Sequence, residues 1–227
     1  MIRRSVVGPL ETNVYAVTGT RGRTVLVDPG AEPHRVLDLV AGLDVRAILL
    51  THAHFDHVLA AGDVARVLGV DVHAHAAERE VWEHEVDHLR RHGHFDAGTA
   101  TGDLLARDPD LLGAPVAGLW DGRFEPVADG RTWDLGGGVK VTARHVPGHT
   151  PGGLAYAVPG AVLTGDTLFP GGPGLTGWPL SDFATIMTSV RQLLREPPDT
   201  VIRPGHGRAT TVGAERPHVD EWQARGW

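Results

Sequence analysis

The stretch Ala47-Ile48-Leu49-Leu50-Thr51-His52-Ala53-His54-Phe55-Asp56-His57 decides how the rest of the chain is read. Its first four residues form a continuous apolar run of the kind found in strands buried on both faces. Thr51 then opens a loop in which His52, His54, Asp56 and His57 fall within six residues. Imidazole and carboxylate are donor groups for zinc and its neighbours. On an extended backbone His52 and His54 point the same way, and a turn into the following helix aims Asp56 and His57 at a second point nearby. Two adjacent metal ions are the expected outcome. A loop at the carboxyl end of a buried strand is also where sheet architectures place their sites, braced by a rigid scaffold.

Upstream of this motif, β-branched runs at 5–7, 14–17 and 24–27 alternate with Gly-rich turns and read as strands. Residues 32–41 read as a helix, with Pro33 in its first turn and Gly42 beyond its last. Downstream, helical spacing at 57–68 is followed by a short strand at 70–73 and a helix at 77–91 with Trp82, Val86 and Leu89 inward. Strands are predicted again at 139–143, 154–158, 161–163 and 200–202. Residues 181–194 carry Phe183, Ile186, Met187, Val190, Leu193 and Leu194 at helical spacing behind Ser181 as N-cap. Two groups of strands, each followed by helices, predict sheets sandwiched between helices. Between about 92 and 133 the periodicity fades, with only a short helical suggestion at 102–106. So long an irregular stretch is expected to act as a lid, with Phe95, Leu104, Leu105, Leu112, Trp120 and Phe124 available to cover substrate. There is no internal repeat, and 1–227 is read as one domain.

Composition narrows the chemistry. With 21 basic and 28 acidic residues the chain carries a formal charge of −7, a poor match for a phosphate backbone, so nucleic acid is not expected as the ligand. No run approaches the ~18 apolar residues of a membrane span. Gly8, Pro9 and Glu11 interrupt what would be the apolar part of an export signal, so a cytoplasmic location is expected. Cysteine is absent while histidine occurs 14 times. Disulfides, thiolate metal sites and cysteine nucleophiles are thereby excluded, and any metal must rest on histidine and carboxylate. Four donors do not fill two catalytic sites, each of which takes about three protein groups besides a shared water. Three Gly-containing turns offer the others: Pro147-Gly148-His149-Thr150-Pro151-Gly152, Thr164-Gly165-Asp166-Thr167 and Arg203-Pro204-Gly205-His206-Gly207.

The succession Thr51 to His57, His149, Asp166 and His206, with Asp28 ahead of it, resembles the metallo-β-lactamase superfamily, and within it the glyoxalase II-like (hydroxyacylglutathione hydrolase-like) metallohydrolases. The motifs run from about residue 12 to residue 218. The resemblance implies an α/β fold: a four-layer αβ/βα sandwich of two mixed sheets flanked by helices, with a dinuclear centre between the sheets at one edge. It implies that His52, His54 and His149 bind the first metal and Asp56, His57 and His206 the second, that Asp166 bridges both, and that Asp28 supports the loop from behind. The implied cofactors are two divalent ions, zinc foremost, with iron and manganese also suited to these donors. The implied reaction is cleavage of a small-molecule thioester or ester by a bridging hydroxide, with Asp56 both ligating and orienting the nucleophile.

Subgroups of the superfamily separate on single residues. His54 stands where flavodiiron members carry glutamate. Asp166 is present and cysteine absent, which reduces lactam hydrolysis to a minor alternative. An acidic chain without an added insert does not fit the nucleases. The resemblance does not extend to the helical glutathione-binding domain, since about twenty residues follow His206. Nor does it extend to the Gly-Arg-x-Asp of many relatives, which is Gly174-Leu175-Thr176-Gly177 here. The alternatives are a mononuclear iron persulfide dioxygenase-like oxidoreductase, a lactonase or phosphodiesterase at the same centre, and a non-catalytic metal-bound scaffold. His73 and His75 read as loop residues, His84, His88, His92 and His94 as a solvated helix face, His145 as a packed neighbour, and Trp178 as either pocket wall or core. Substrate-binding residues and oligomeric state are not read from the sequence.

Overall fold

Neighbouring residues of single strands enter different cores, and this fixes the layering. In the computed structural model, which describes residues 1–95 and 119–226, β1 (Ile2–Val7), β2 (Thr12–Thr18), β3 (Arg23–Val27), β4 (Asp44–Leu49), β5 (Val72–Ala74) and β6 (Glu125–Pro126) form a sheet in that order. The pairs β1/β2 and β2/β3 are antiparallel, and from β3 to β6 the pairing is parallel. Helices α1 (Pro33–Leu39), α2 (Phe55–Val58) and α3 (Ala61–Leu68) connect parallel strands, and α4 (Glu78–His92) follows β5. The second sheet contains β7 (Thr132–Asp134), β8 (Lys140–His145), β9 (Leu154–Val158), β10 (Ala161–Gly165), β13 (Val201–Pro204) and β14 (Thr210–Thr211), in the order β14-β13-β10-β9-β8-β7. A small hairpin of β11 (Leu168–Phe169) and β12 (Gly172–Pro173) precedes α5 (Phe183–Leu193), and α6 (Val212–Glu215) and α7 (Val219–Arg225) close the described chain.

Tyr15, Val25, Val27, Ala47 and Leu49 of the first sheet meet Val141, Ala143, Leu154, Tyr156 and Leu163 of the second in a central core. The intervening Val14, Leu26, Ile48 and Leu50 face the other way, onto Val36, Val58, Val64, Trp82 and Leu89. On the far side Ala155, Val162 and Ile202 pack against Ile186, Met187, Val190, Leu193 and Trp222. The result is helices, sheet, sheet, helices, the expected four layers. Both phases of the period-2 pattern are apolar from Ala47 to Leu50 because each phase feeds a core. Ile48, Leu49 and Leu50 are completely buried, and truncating any one to alanine costs about 2–5 kcal/mol.

Three expectations are corrected or bounded. The helix expected at 57–68 is two helices, because the Ala60 amide donates to the Pro29 carbonyl at 3.1 Å instead of continuing the ladder. The first of them starts at Phe55, which draws Asp56 and His57 into helical backbone. The N-cap of α5 is Asp182, whose Oδ1 accepts from the Thr185 amide at 2.7 Å. Ser181 instead closes the preceding turn, its hydroxyl donating to the Trp178 carbonyl at 2.8 Å. Most of the expected lid, including the 102–106 helix and Leu104, Leu105 and Leu112, lies outside the described residues. Its described flanks are core: Phe95 and Trp120 are buried, Phe124 packs beside them, and the Phe95 ring stacks on Phe55 at 4.7 Å. Among the described residues no helix is long and apolar enough to cross a membrane.

Candidate metal centre

The two sheets are fastened to each other where their strands deliver the chemistry-bearing turns. Tyr156 Oη donates to the Leu50 carbonyl at 2.8 Å and the Leu154 amide to the Thr51 carbonyl at 2.7 Å. These bonds tie β9 to the end of β4. Tyr15 Oη donates to the Pro204 carbonyl at 2.9 Å and the Asn13 amide to Gly205 at 2.6 Å, tying β2 to the end of β13. Each such bond contributes about 0.5–1.5 kcal/mol net. Together they set the spacing between donors that come from different sheets.

All seven predicted donors converge there. Side-chain ligand atoms lie within 4.8 Å of one another in the sets His52, His54 and His149; His52, His57 and Asp166; and Asp56, His57 and His206. His54 Nδ1 and His149 Nε2 are 3.0 Å apart, and His57 Nε2 and His206 Nε2 3.3 Å. Asp166 sits between the groups, with oxygens 3.5 Å from His57, 3.4 Å from His206 and 3.9 Å from His149. Asp56 Oδ2 is 3.3 Å from His57 Nε2 and 3.2 Å from His206 Nε2.

Four of the five imidazoles, those of His52, His57, His149 and His206, are oriented from behind. Asp28, at the end of β3 and in the left-handed region at φ 52°, accepts from the Thr51 amide and hydroxyl, both at 2.7 Å, and from His57 Nδ1 at 3.0 Å. Because the Thr51 hydroxyl donates to Asp28, it accepts from His52 Nδ1 at 3.1 Å and leaves His52 Nε2 facing inward. His149 Nδ1 donates to the Leu175 carbonyl at 2.7 Å and His206 Nδ1 to that of Leu10 at 2.8 Å. Thr12 donates to Asp56 at 2.8 Å. Asp28 thus lies behind the motif loop and joins Thr51 to His57. Thr12 and the two carbonyls carry no sequence signal, since any residue has a carbonyl and threonine is ordinary in a strand.

The donor set fits a metal. His52 Nε2 and Asp166 Oδ1 are buried with no hydrogen-bond partner, a costly arrangement for polar atoms unless a cation completes them. A Cβ at Gly205 would stand 2.1 Å from Asp166 Oδ1 and 2.7 Å from His57 Cε1, so the turn before His206 admits only glycine.

Electrostatics divides the cluster. Burial, reinforced by the neighbouring histidines, holds His52 well below its ordinary value and pulls His54 down to about 3; it lowers His149 as well. In His57 burial is outweighed by Asp56, Asp166 and Asp28, which raise it to about 9. In His206, Asp166 and Asp56 likewise overcome burial and push it up to about 12. Burial opposes ionisation of Asp56 and Asp166 too, yet the facing histidines hold both carboxyls far below the usual range. Three imidazoles are neutral donors, and the other two are paired with carboxylates.

Five of the donors, His54, Asp56, His149, Asp166 and His206, line a cavity of about 770 Å³ together with Leu10, Phe169, Leu175 and Trp178. The Trp178 ring meets that of His54 edge-on at 6.2 Å, which makes it a cavity wall. The other histidines stand apart from the cluster. His73 leans on Trp133 at 5.7 Å, His75 and His145 stack at 4.3 Å, and His88 and His92 follow each other along α4 at 4.4 Å. A residue unmarked in the sequence is Glu78, completely buried behind the motif loop. An acidic residue in the first turn of a helix is ordinary dipole complementation, and nothing in the sequence distinguishes this one.

Comparison with known proteins gives the family and the fold. The Metallo-beta-lactamase superfamily description matches residues 7–206. Hydroxyacylglutathione hydrolase GloC of Haemophilus influenzae is 30% identical over 213 residues, covering 91% of this chain and 90% of its own. Among solved structures, TTHA1623 in a di-iron-bound form is 34% identical with a TM-score of 0.72, over 94% of this chain and 96% of that one. The BLEG-1 B3 metallo-beta-lactamase is 27% identical with a TM-score of 0.76, over 96% and 97%. In sequence, layering and the meeting of its two sheets over a His/Asp cluster, the chain belongs to the metallo-β-lactamase superfamily.

Proposed function

We propose that the protein is a dinuclear metallohydrolase that cleaves a small thioester or ester. The observation that carries this reading is the pair of buried, unpartnered donors, His52 Nε2 and Asp166 Oδ1, inside a cluster of seven. His52, His54 and His149 would hold one divalent ion, Asp56, His57 and His206 the other, and Asp166 both. Zinc suits these donors, and the di-iron form of a relative 34% identical supports iron as a natural occupant. When bound, such a pair lowers the pKa of a shared water to near neutrality and polarises a carbonyl.

The chain's own residues do the rest. Asp28 and the Leu10 and Leu175 carbonyls hold the Nδ1 protons of His57, His206 and His149, so each ring presents Nε2 inward. Thr12 fixes the Asp56 carboxylate, which lies on the cavity side of the cluster and orients the attacking oxygen. Leu10, Phe169, Leu175 and Trp178 offer an apolar wall to an acyl group and keep bulk water off the reacting carbonyl. GloC, named for a glutathione thioester, is matched over nine-tenths of its length. A separate glutathione-binding domain is therefore no requirement for this substrate class.

The test is metal content measured together with a hydrolysis screen over thioesters, esters, lactones, β-lactams and phosphodiesters. Two ions per chain with turnover of thioesters or esters is the expected result. One iron per chain with oxygen uptake on a persulfide would replace the reading with the dioxygenase alternative.

A further inference from the structure

We propose that Glu78 is a positioning residue that locks the His52–His54 loop to the His149 turn and thereby sets the affinity of the three-histidine site alone. The inference rests on the two-ion reading above. Glu78 opens α4 and is completely buried, yet it belongs to none of the donor sets. Its Oε2 accepts from the Ala53 amide at 2.6 Å and its Oε1 from the Gly152 amide at 2.8 Å. Ala53 lies between His52 and His54, and Gly152 lies three residues after His149. One carboxylate therefore spans two loops from two different sheets, and the loops it joins are those carrying the histidines of one ligand set.

The bracing is specific to that set. Asp56, His57 and His206 are held by Thr12, Asp28 and the Leu10 carbonyl, and none of those bonds passes through Glu78. The second loop is shaped to receive the carboxylate. A Cβ at Gly152 would sit 2.7 Å from Glu78 Oε1 and 2.9 Å from His75 Nδ1, so the amide reaches the acid only because the side chain is missing. The two donors reach different oxygens, so the group between them must accept at both ends, which a carboxylate does and an amide does not. In Glu78→Gln one backbone N–H faces the new NH₂, and the loops part on that side. Outer hydrogen-bond partners of metal ligands are commonly worth 10–100-fold in affinity.

The experiment is stepwise removal of zinc from the loaded protein by graded chelator, with metal per chain read by mass spectrometry and folding read by circular dichroism. In Glu78→Gln one ion is expected to leave at about 10–100-fold lower chelator strength while the other leaves as in the unmodified protein. His206→Ala identifies which: with only the three-histidine set intact, adding Glu78→Gln should loosen the remaining ion by the same factor. Gly152→Ala strikes the same bond from the opposite loop and should reproduce the selective loss, which keeps the test open if Glu78→Gln fails to fold. Equal loosening of both ions, or of neither, overturns the proposal. An unmodified protein that binds a single ion overturns the two-ion reading instead, and Glu78 is then judged by whether its substitution loosens that ion tenfold.

Discussion

The two sheets contribute to the centre in opposite ways. The first supplies four donors from one loop, His52, His54, Asp56 and His57, and anchors that loop with buried carboxylates at Asp28 and Glu78. The second supplies three donors from three turns, His149, Asp166 and His206, and its two histidines each hang on one backbone carbonyl. A contiguous, doubly braced loop is a preformed half-site. Scattered donors become a half-site only when the sheets are already packed. Asp166 should therefore be the most sensitive residue, because its carboxylate lies within 4 Å of histidines of both groups, His149 on one side and His57 and His206 on the other. Asp166→Ala is expected to lower hydrolysis by on the order of 10³-fold, several kcal/mol of lost charge stabilisation, with fewer than two ions retained. A variant that keeps both ions and its rate would show that Asp166 does not join the two groups.

The next effect concerns stability. Each ligand set joins donors of one sheet to a donor of the other, so bound ions act as staples across the central core. At a free metal concentration of 100 times Kd, one site adds about 2.7 kcal/mol, or roughly 5–10 °C in Tm for a chain of this size. Thermal unfolding with and without chelator measures it. In His206→Ala the staple between β13 and the first sheet is lost, and the metal-dependent increment should fall by about half. An increment unchanged by that substitution would mean that the ions do not span the sheets.

The same contrast explains what could be read in advance. Four donors in one loop after an apolar strand are visible because period-2 geometry and a single turn suffice to bring them together. His149, Asp166 and His206 share only a Gly-containing turn with many unrelated loops, and their grouping came from the likeness to a family. The sandwich was visible because two groups of strands are each followed by helices, and its four layers came from the likeness to the family. The two-residue strands at Glu125–Pro126 and Thr210–Thr211 were not, since they are too short to show any period. Glu78 escaped for a different reason: its role is defined by two backbone amides, and backbone amides leave no mark in a sequence. The break between α2 and α3 escaped likewise, because it depends on the carbonyl of Pro29.

Protons should compete with metal chiefly where the sheets' carboxylates meet. His57 is raised from an ordinary 6.5 to about 9 by Asp56, Asp166 and Asp28 acting against burial. Below that value it carries a proton that an incoming cation must displace. Metal affinity should therefore rise with pH, roughly tenfold per unit for each proton released, and the rise should become shallower above about 9, where only His206, pushed up to about 12, still holds its proton. For the metal-free protein the sign is opposite. A raised histidine gives its full stabilisation below 6.5 and loses it as pH climbs through about 9, so the chelated protein should weaken over the range in which the loaded protein tightens. Isothermal titration in buffers of different ionisation enthalpy counts the protons, and denaturant midpoints follow the stability. Parallel pH trends for the two forms would remove His57 from the metal set.

The smallest effect is expected at the cavity wall, where the second sheet's loop touches substrate space without holding metal. Trp178 faces His54 edge-on at 6.2 Å and lines the cavity beside Leu175, and none of the donor sets includes it. An aromatic contact of this kind is worth about 0.5–1.5 kcal/mol. Trp178→Ala should accordingly raise KM by about 2–10-fold for substrates with an apolar acyl group, leaving kcat and metal content close to those of the unmodified protein. The loss should shrink as the acyl chain is shortened, because less of the substrate then reaches the indole. A fall in kcat with unchanged KM would mean instead that the indole steadies His54, and would move Trp178 from the substrate's side of the cavity to the metal's.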